Sequence, residues 1–206
     1  MNTVSVIVRT SDQPALLEKV LWGFNCQTYK DFELIIADEG SPKPTKELVE
    51  KIKTSMRFEI SHIWREGNGF QKGNILNEAI LSSNTDYILL TEGNCIPRED
   101  LVQVHYINKE PNTIISGVSY LLPLHISETL TQKDIEEQNC FKIDWLKRKG
   151  ITKLSKGARR RARRFISKFH DALTPEKYSW YEHNSSGWKK DLVKVFGIKE
   201  NNEGIG

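Results

Sequence analysis

A carboxylate, a glycine and an amide stand in a row at Glu92-Gly93-Asn94, directly after the apolar run Tyr87-Ile88-Leu89-Leu90. Two oxygen-bearing side chains flanking a glycine can share a divalent metal or contact a sugar. Asp38-Glu39-Gly40-Ser41 repeats the theme after Phe32 to Ala37, again acids and a glycine behind a β-forming run. In open α/β sheets, ligands are held at the carboxyl ends of the strands, so both stretches are candidate site segments. The other reading of Glu92 to Asn94 is a turn that closes the strand, with Gly93 at positive φ. On this stretch alone both readings stay open.

The surrounding pattern supplies the elements such a site needs. Thr3 to Thr10, built around Val4, Val6, Ile7 and Val8, reads as a first buried strand. Ser11-Asp12-Gln13-Pro14 offers a cap and a proline for the first turn of a helix that carries Leu16, Leu17, Val20, Leu21 and Phe24 at helical spacing. Phe32 to Ala37 is a second strand, Pro44 opens a helix to about Lys53, and Phe58 to Trp64 is a third strand. Gly67 to Phe70 leads into a helix that buries Ile75, Leu76, Ala79 and Ile80. The run from Tyr87 is the fourth strand, followed by a helix from Glu99 to Asn108 and a fifth strand over Thr113 to Val118. Strands alternating with helices predict an α/β fold: an open, mostly parallel sheet with helices on both faces. Right-handed crossovers then put Asp38, Glu39, Glu92 and Asn94 on one edge.

With 206 residues and 38% hydrophobic content, the chain suits one domain with an appended piece. No apolar run reaches the ~18 residues of a membrane span. MNTVSVIVRT reads as a strand, not a leader, so a cytoplasmic location is expected. Cys26, Cys95 and Cys140 contain no C-x-x-C pair, which argues against a structural zinc site or a disulfide framework. The net charge of +3 hides an asymmetry: Lys147 to His170 holds eleven Lys or Arg and no acid, leaving the remainder net acidic. Ile135 to Lys149 and Ser155 to His170 read as two helices joined at Gly150. The second presents Ala158, Ala162, Phe165, Ile166 and Phe169 on one face amid Arg and Lys. That pattern suits an anionic membrane surface, peripherally at the inner leaflet. A solvated helix packed on the domain is the plain alternative, and nucleic acid is disfavoured because no recognition motif accompanies the charge. The expected organisation is a core over 1–124, a helical basic appendage over 125–180 and a return segment over 181–206.

Five segments, VSVIVRT, NCQTYKDFELIIADEGS, NGFQKGNILNEAI, DYILLTEGNCIPRED and WKKDLVKVFGIKE, occur in this order. Together they resemble the family 2 glycosyltransferases of bacterial polysaccharide and lipopolysaccharide synthesis, which have the GT-A nucleotide-sugar-binding fold. The resemblance covers residues 3 to about 118 and resumes over 184–206, leaving 125–180 to physical reading alone.

The resemblance implies transfer of a sugar from a nucleotide-diphosphate donor, expected to be UDP-linked, to a glycan or lipid-linked acceptor with inversion. It places Arg9, Thr10, Ser11, Asp38 and Glu39 around the nucleoside; Ser11 stands where the family usually has a stacking aromatic residue. Asn68, Gly69, Lys72 and Asn77 match the loop and helix beneath the nucleotide, with Lys72 a point charge for the diphosphate. Glu92, Gly93 and Asn94 match the Asp-x-Asp metal motif, so Glu92 and Asn94 are the candidate ligands of Mg²⁺ or Mn²⁺. Asn94 is a neutral donor where the family has a carboxylate, which weakens the expected metal site. Gly204-Ile205-Gly206 matches a turn that in the family precedes the acidic general base, and the sequence stops there, as a C-terminally truncated member would. The catalytic residue is therefore left unassigned, with Glu182, His183 and Glu203 as candidate bases and His183 also a candidate third metal ligand. A catalytically weak nucleotide-sugar-binding relative, or a membrane-associated scaffold, is the alternative function.

Overall fold

Four apolar runs form adjacent parallel strands, because each is followed by a helix long enough to carry the chain back to the same starting edge. The computed structural model describes residues 3–66, 72–151 and 183–195. Strands β1 (Val4–Thr10), β2 (Phe32–Glu39), β3 (Ile60–Arg65) and β4 (Tyr87–Glu92) are parallel, and β5 (Ile115–Ser116) follows at the far side. β6 (Asn184–Trp188) enters antiparallel between β4 and β5, giving a six-stranded sheet of order β3-β2-β1-β4-β6-β5.

Strand side chains alternate across the sheet. On one face Val4, Val6 and Val8, with Phe32, Leu34, Ile36, Tyr87 and Leu89, pack with residues of α1 (Pro14–Asn25), α2 (Lys43–Lys53) and α4 (Leu101–Ile107). The alternate residues Ile7, Ile35, Ile88 and Leu90 are also buried, on the face covered by α3 (Lys72–Ser82) and the last helix. Burial on both faces is why β1, β2 and β4 read as near-continuous apolar runs.

Two polar clusters interrupt this core. Glu33 is 4% exposed. Its Oε1 accepts from the Ser5 hydroxyl (2.5 Å) and the Asn84 backbone N–H (2.8 Å), and its Oε2 accepts from the Asn84 side-chain amide (2.8 Å). Burial alone would raise its pKa, but these hydrogen bonds and the Lys189 charge outweigh it and hold the carboxyl below its usual value. Lys189 also donates to the carbonyls of Leu81 and Ser83 at 2.9 Å, satisfying the end of α3. In the second cluster the His105 ring nitrogens meet Ser186 Oγ (2.7 Å) and Asn184 Oδ1 (2.9 Å), while Tyr87 Oη meets Ser186 Oγ at 2.7 Å. These bonds tie α4, β4 and β6 together. Burial pushes the His105 pKa down to about 4, so its imidazole is neutral.

The chain divides into two compact units, Met1–Gly117 with Tyr181–Gly206, and Val118–Trp180. The described part of the second unit departs from the expected single helix over Ile135 to Lys149. It contains α5 (Leu124–Thr129), α6 (Gln132–Glu136), one 3₁₀ turn (Asn139–Phe141) and α7 (Ile143–Arg148). Thr131 caps α6 reciprocally with Asp134, and Gln138 at φ 56° turns the chain left-handed where a continuous helix would need αR geometry. Gly150, at φ 89°, ends α7 where the sequence placed a joint. The second expected helix, Ser155 to His170, lies outside the described residues. In the first unit α4 is shorter than Glu99 to Asn108, and the fifth strand shrinks from Thr113–Val118 to two residues. The last helix, α8 (Lys189–Val195), packs on β6 and α3. Among the described residues no helix is long and apolar enough to cross a membrane.

Candidate functional site

Parallel pairing brings the carboxyl ends of β1, β2 and β4 together by register. Thr10 stands opposite Asp38, and Arg9 opposite Glu92. A cleft of about 180 Å³ opens there, lined by Arg9, Thr10, Ser11, Gln13, Glu39, Glu92, Gly93 and Asn94. Arg9 Nη2 lies 2.6 Å from Glu92 Oε1, with both side chains partly exposed. The Gly93 N–H donates to the Arg9 carbonyl at 2.7 Å, fixing the turn that follows β4 against the end of β1.

Gly93 is not at positive φ; Gly40 is, at φ 71°. Space explains the glycine instead. A Cβ at Gly93 would lie 2.6 Å from Thr10 Oγ1 and 2.9 Å from Thr10 Cβ. Thr10 is itself 5% exposed and has little room to yield. The Gly93→Ala substitution is therefore expected to cost about 1–3 kcal/mol of stability by overpacking, checked by urea denaturation.

The structure separates the two acids at the end of β2. Asp38 is fully buried and does not line the cleft. Its Oδ1 accepts the Ser41 N–H (3.0 Å) and its Oδ2 meets His62 Nε2 (2.9 Å). Burial pushes its pKa up, but the His62 and Ser41 hydrogen bonds outweigh that and leave the carboxyl below its usual value. Ser41 then joins three segments: its Oγ accepts the Asp12 N–H (2.9 Å), and its carbonyl accepts Trp64 Nε1–H (3.0 Å). Asp38 thus holds the loops after β1 and β2 in place and leaves the cleft to Glu39. Glu39 Oε1 and Thr10 Oγ1 are both buried and have no protein hydrogen-bond partner among the described residues. Buried polar atoms are rarely left unsatisfied, and these two, unlike Thr45 Oγ1, Ser185 Oγ and Asp191 Oδ2, belong to residues that line the cleft.

Gln13 was not singled out in the sequence, where it reads as part of a helix cap. In the structure it precedes Pro14 without making a side-chain cap and lines the cleft instead. Burial, with the Glu92 charge nearby, pushes the thiol of Cys95, beside Asn94, up to about 11 and keeps it protonated at neutral pH. His183 lies one residue beyond the Thr91–Asn184 pair of β4 and β6, at the level of Glu92, and is half-buried. Asn77 is half-buried within α3, and Lys72 opens that helix with its side chain outside the described ones. Asn68, Gly69, Glu182 and Glu203 lie outside the described residues.

Glu92 and Asn94 do reach one cleft, but they suit a divalent ion poorly. Glu92 is bound by a guanidinium, Asn94 carries no charge, and Asn94 Oδ1 accepts from Cys95 Sγ at 3.3 Å. Among the described residues no group of three or more His, Cys, Asp or Glu is placed to hold a metal.

With fold and cleft established, the sequence profile of Glycosyl transferase family 2 matches residues 5–165. The chain belongs to glycosyl transferase family 2. This glycosyltransferase-family chain is 30% identical over 82 residues to a GalNAc(5)-diNAcBac-PP-undecaprenol beta-1,3-glucosyltransferase of Campylobacter jejuni, covering 38% of this chain and 26% of that protein. It is 26% identical over 127 residues to the hyaluronan synthase of Pasteurella multocida, covering 60% of this chain and 13% of that one. The chain thus spans 26% and 13% of the length of these two curated relatives. Its fold matches a mannosyltransferase from Pyrobaculum calidifontis in complex with GDP-Man and Mn²⁺, with a TM-score of 0.58 and 17% identity, covering 95% of this chain and 46% of that one. The sheet of six mostly parallel strands is therefore the GT-A arrangement.

Proposed function

We propose that this chain binds a nucleotide-diphosphate sugar, UDP-linked, in the cleft at the ends of β1, β2 and β4 and transfers the sugar with inversion. The observation that carries the reading is the pair of buried, partnerless oxygens, Thr10 Oγ1 and Glu39 Oε1, at the wall of an open cleft. A carboxylate and a hydroxyl there suit the N–H and O–H groups of a nucleoside, and Gln13 adds a side-chain amide to the same wall. Family membership supplies the reaction class.

In this reading an acceptor hydroxyl attacks the anomeric carbon from the side opposite the diphosphate, which leaves with the bonding electron pair. A base must take the hydroxyl proton. His183 is the described candidate, because β6 brings it to the level of Glu92; Glu182 and Glu203 are the others. The acceptor is a glycan or a lipid-linked glycan, in keeping with the undecaprenol-linked substrate named for the Campylobacter jejuni relative. The basic run from Lys147 to His170 would hold the protein at anionic lipid on the cytoplasmic face, each charge contributing about 1 kcal/mol before screening. Co-sedimentation with anionic but not neutral vesicles, weakening with salt, tests that part.

The central test is calorimetric titration with UDP, GDP and their sugar conjugates. UDP binding is expected, and Glu39→Ala should weaken it about 10-fold, the value of one hydrogen bond to a charged group. Failure of every nucleotide to bind removes the reading. His183→Ala is expected to lower kcat about 10²-fold with little change in donor affinity if it is the base.

A further inference from the structure

The Arg9–Glu92 pair lies at the carboxyl ends of two neighbouring strands on the wall of the cleft, and its chemistry differs from that of a metal site. Divalent ions of the Mg²⁺ and Mn²⁺ kind favour hard, charged oxygens. Here one carboxylate oxygen already faces a guanidinium nitrogen at 2.6 Å, and the second donor, Asn94, is neutral. An ion on the other oxygen of Glu92 would share the carboxylate's single charge with Arg9 and place two positive charges beside a third. The pair is also not adventitious. Arg9 and Glu92 are register partners on neighbouring strands, and the Gly93 N–H to Arg9 carbonyl bond clamps the two backbones at that level.

We infer that this cleft binds a nucleoside diphosphate without a divalent ion, with the Arg9 guanidinium as the cation that faces the phosphates. The inference rests on the nucleotide-sugar reading above. A guanidinium suits the task because its charge is permanent and its five N–H donors let it face an anion while it stays paired with Glu92. Glu92 then acts as a positioning residue. It holds the guanidinium at the mouth of the cleft, as a carboxylate commonly orients an arginine, and does not serve as a metal ligand. Asn94 fits the same arrangement, since a second carboxylate at that position would repel the diphosphate once no metal stood between them.

The experiment is titration of the EDTA-treated full chain with UDP and with GDP, repeated in the presence of Mn²⁺, on the wild type and on Arg9→Met. Wild-type affinity is expected to change less than about 3-fold on adding Mn²⁺, and Arg9→Met should weaken metal-free binding by about 10-fold or more, as loss of a charge-assisted contact does. Electron paramagnetic resonance of a Mn²⁺–UDP mixture should show no fall in the free-ion Mn²⁺ signal when protein is added, whereas a metal-bridged complex would lower it. Nucleotide binding that requires Mn²⁺, or an Arg9→Met protein that binds UDP as the wild type does, overturns the inference and leaves the nucleotide reading standing. Binding in neither condition removes that reading, and the inference with it. Circular dichroism establishes that Arg9→Met is folded; if it is not, the wild-type comparison with and without Mn²⁺ decides alone.

Discussion

Glu33→Ala is expected to destabilise the protein by about 1–3 kcal/mol and to lower the urea midpoint accordingly. The substitution removes the acceptor of three donors: the buried Ser5 hydroxyl, which keeps the Thr85 hydroxyl as a partner, and the backbone N–H and side-chain amide of the exposed Asn84. It also takes a negative charge away from Lys189. Breaking one side of such a buried cluster costs more than the cluster contributes net, because the remaining partners keep their desolvation penalty. Glu33→Gln keeps an acceptor and the volume, so it should lose clearly less. Equal losses for the two substitutions would assign the effect to packing alone.

Acid should weaken the fold in two stages. His105 has a folded pKa of about 4, below its ordinary value of 6.5. The unfolded chain therefore takes up the proton first, and stability falls as pH drops from 6.5 towards 4. The loss between neutrality and about pH 4.5 is expected to reach about 2–3 kcal/mol. Glu33 and Asp38 act in the next window. Their folded pKa values lie below the ordinary carboxylate values, so the stability they add is present above about pH 4.5 and is lost as pH falls through the folded values. Urea midpoints measured at several pH values should show the first stage in the wild type and not in His105→Gln. A His105→Gln protein that retains the slope between pH 6.5 and 4 would place the titration elsewhere.

The parallel core was legible because burial on both faces leaves little choice of residue: Val4 to Val8, Phe32 to Ala37 and Tyr87 to Leu90 announce strands by composition. The common edge followed from crossover handedness, so Glu39, Glu92 and Asn94 were legible as neighbours. The separation of Asp38 from Glu39 was not. Adjacent residues at a strand end point to opposite faces, and which acid turns inward depends on His62, a partner that sequence alone does not pair with it. The Arg9–Glu92 ion pair was hidden for the same reason, since cross-strand register requires the sheet order. The breaks within the expected Ile135 to Lys149 helix were masked by good helical spacing, because Gln138 in a left-handed conformation leaves no mark in composition.

The strand that completes the sheet is also the last of the six to leave the ribosome. β6 pairs with β4 across a large separation; Tyr87 and Ser186, in hydrogen-bond contact, are 99 residues apart. Until Asn184 to Trp188 emerge, the nascent chain can assemble β3-β2-β1-β4 with the outer side of β4 bare, an apolar edge that offers its backbone N–H and C=O groups to any other strand. At a synthesis rate of about 5–20 residues per second that exposure lasts several seconds, long on the scale of collisions between chains. Closure of the sheet, rather than formation of its parallel core, should then limit folding, and newly made chains should depend on chaperones for that interval.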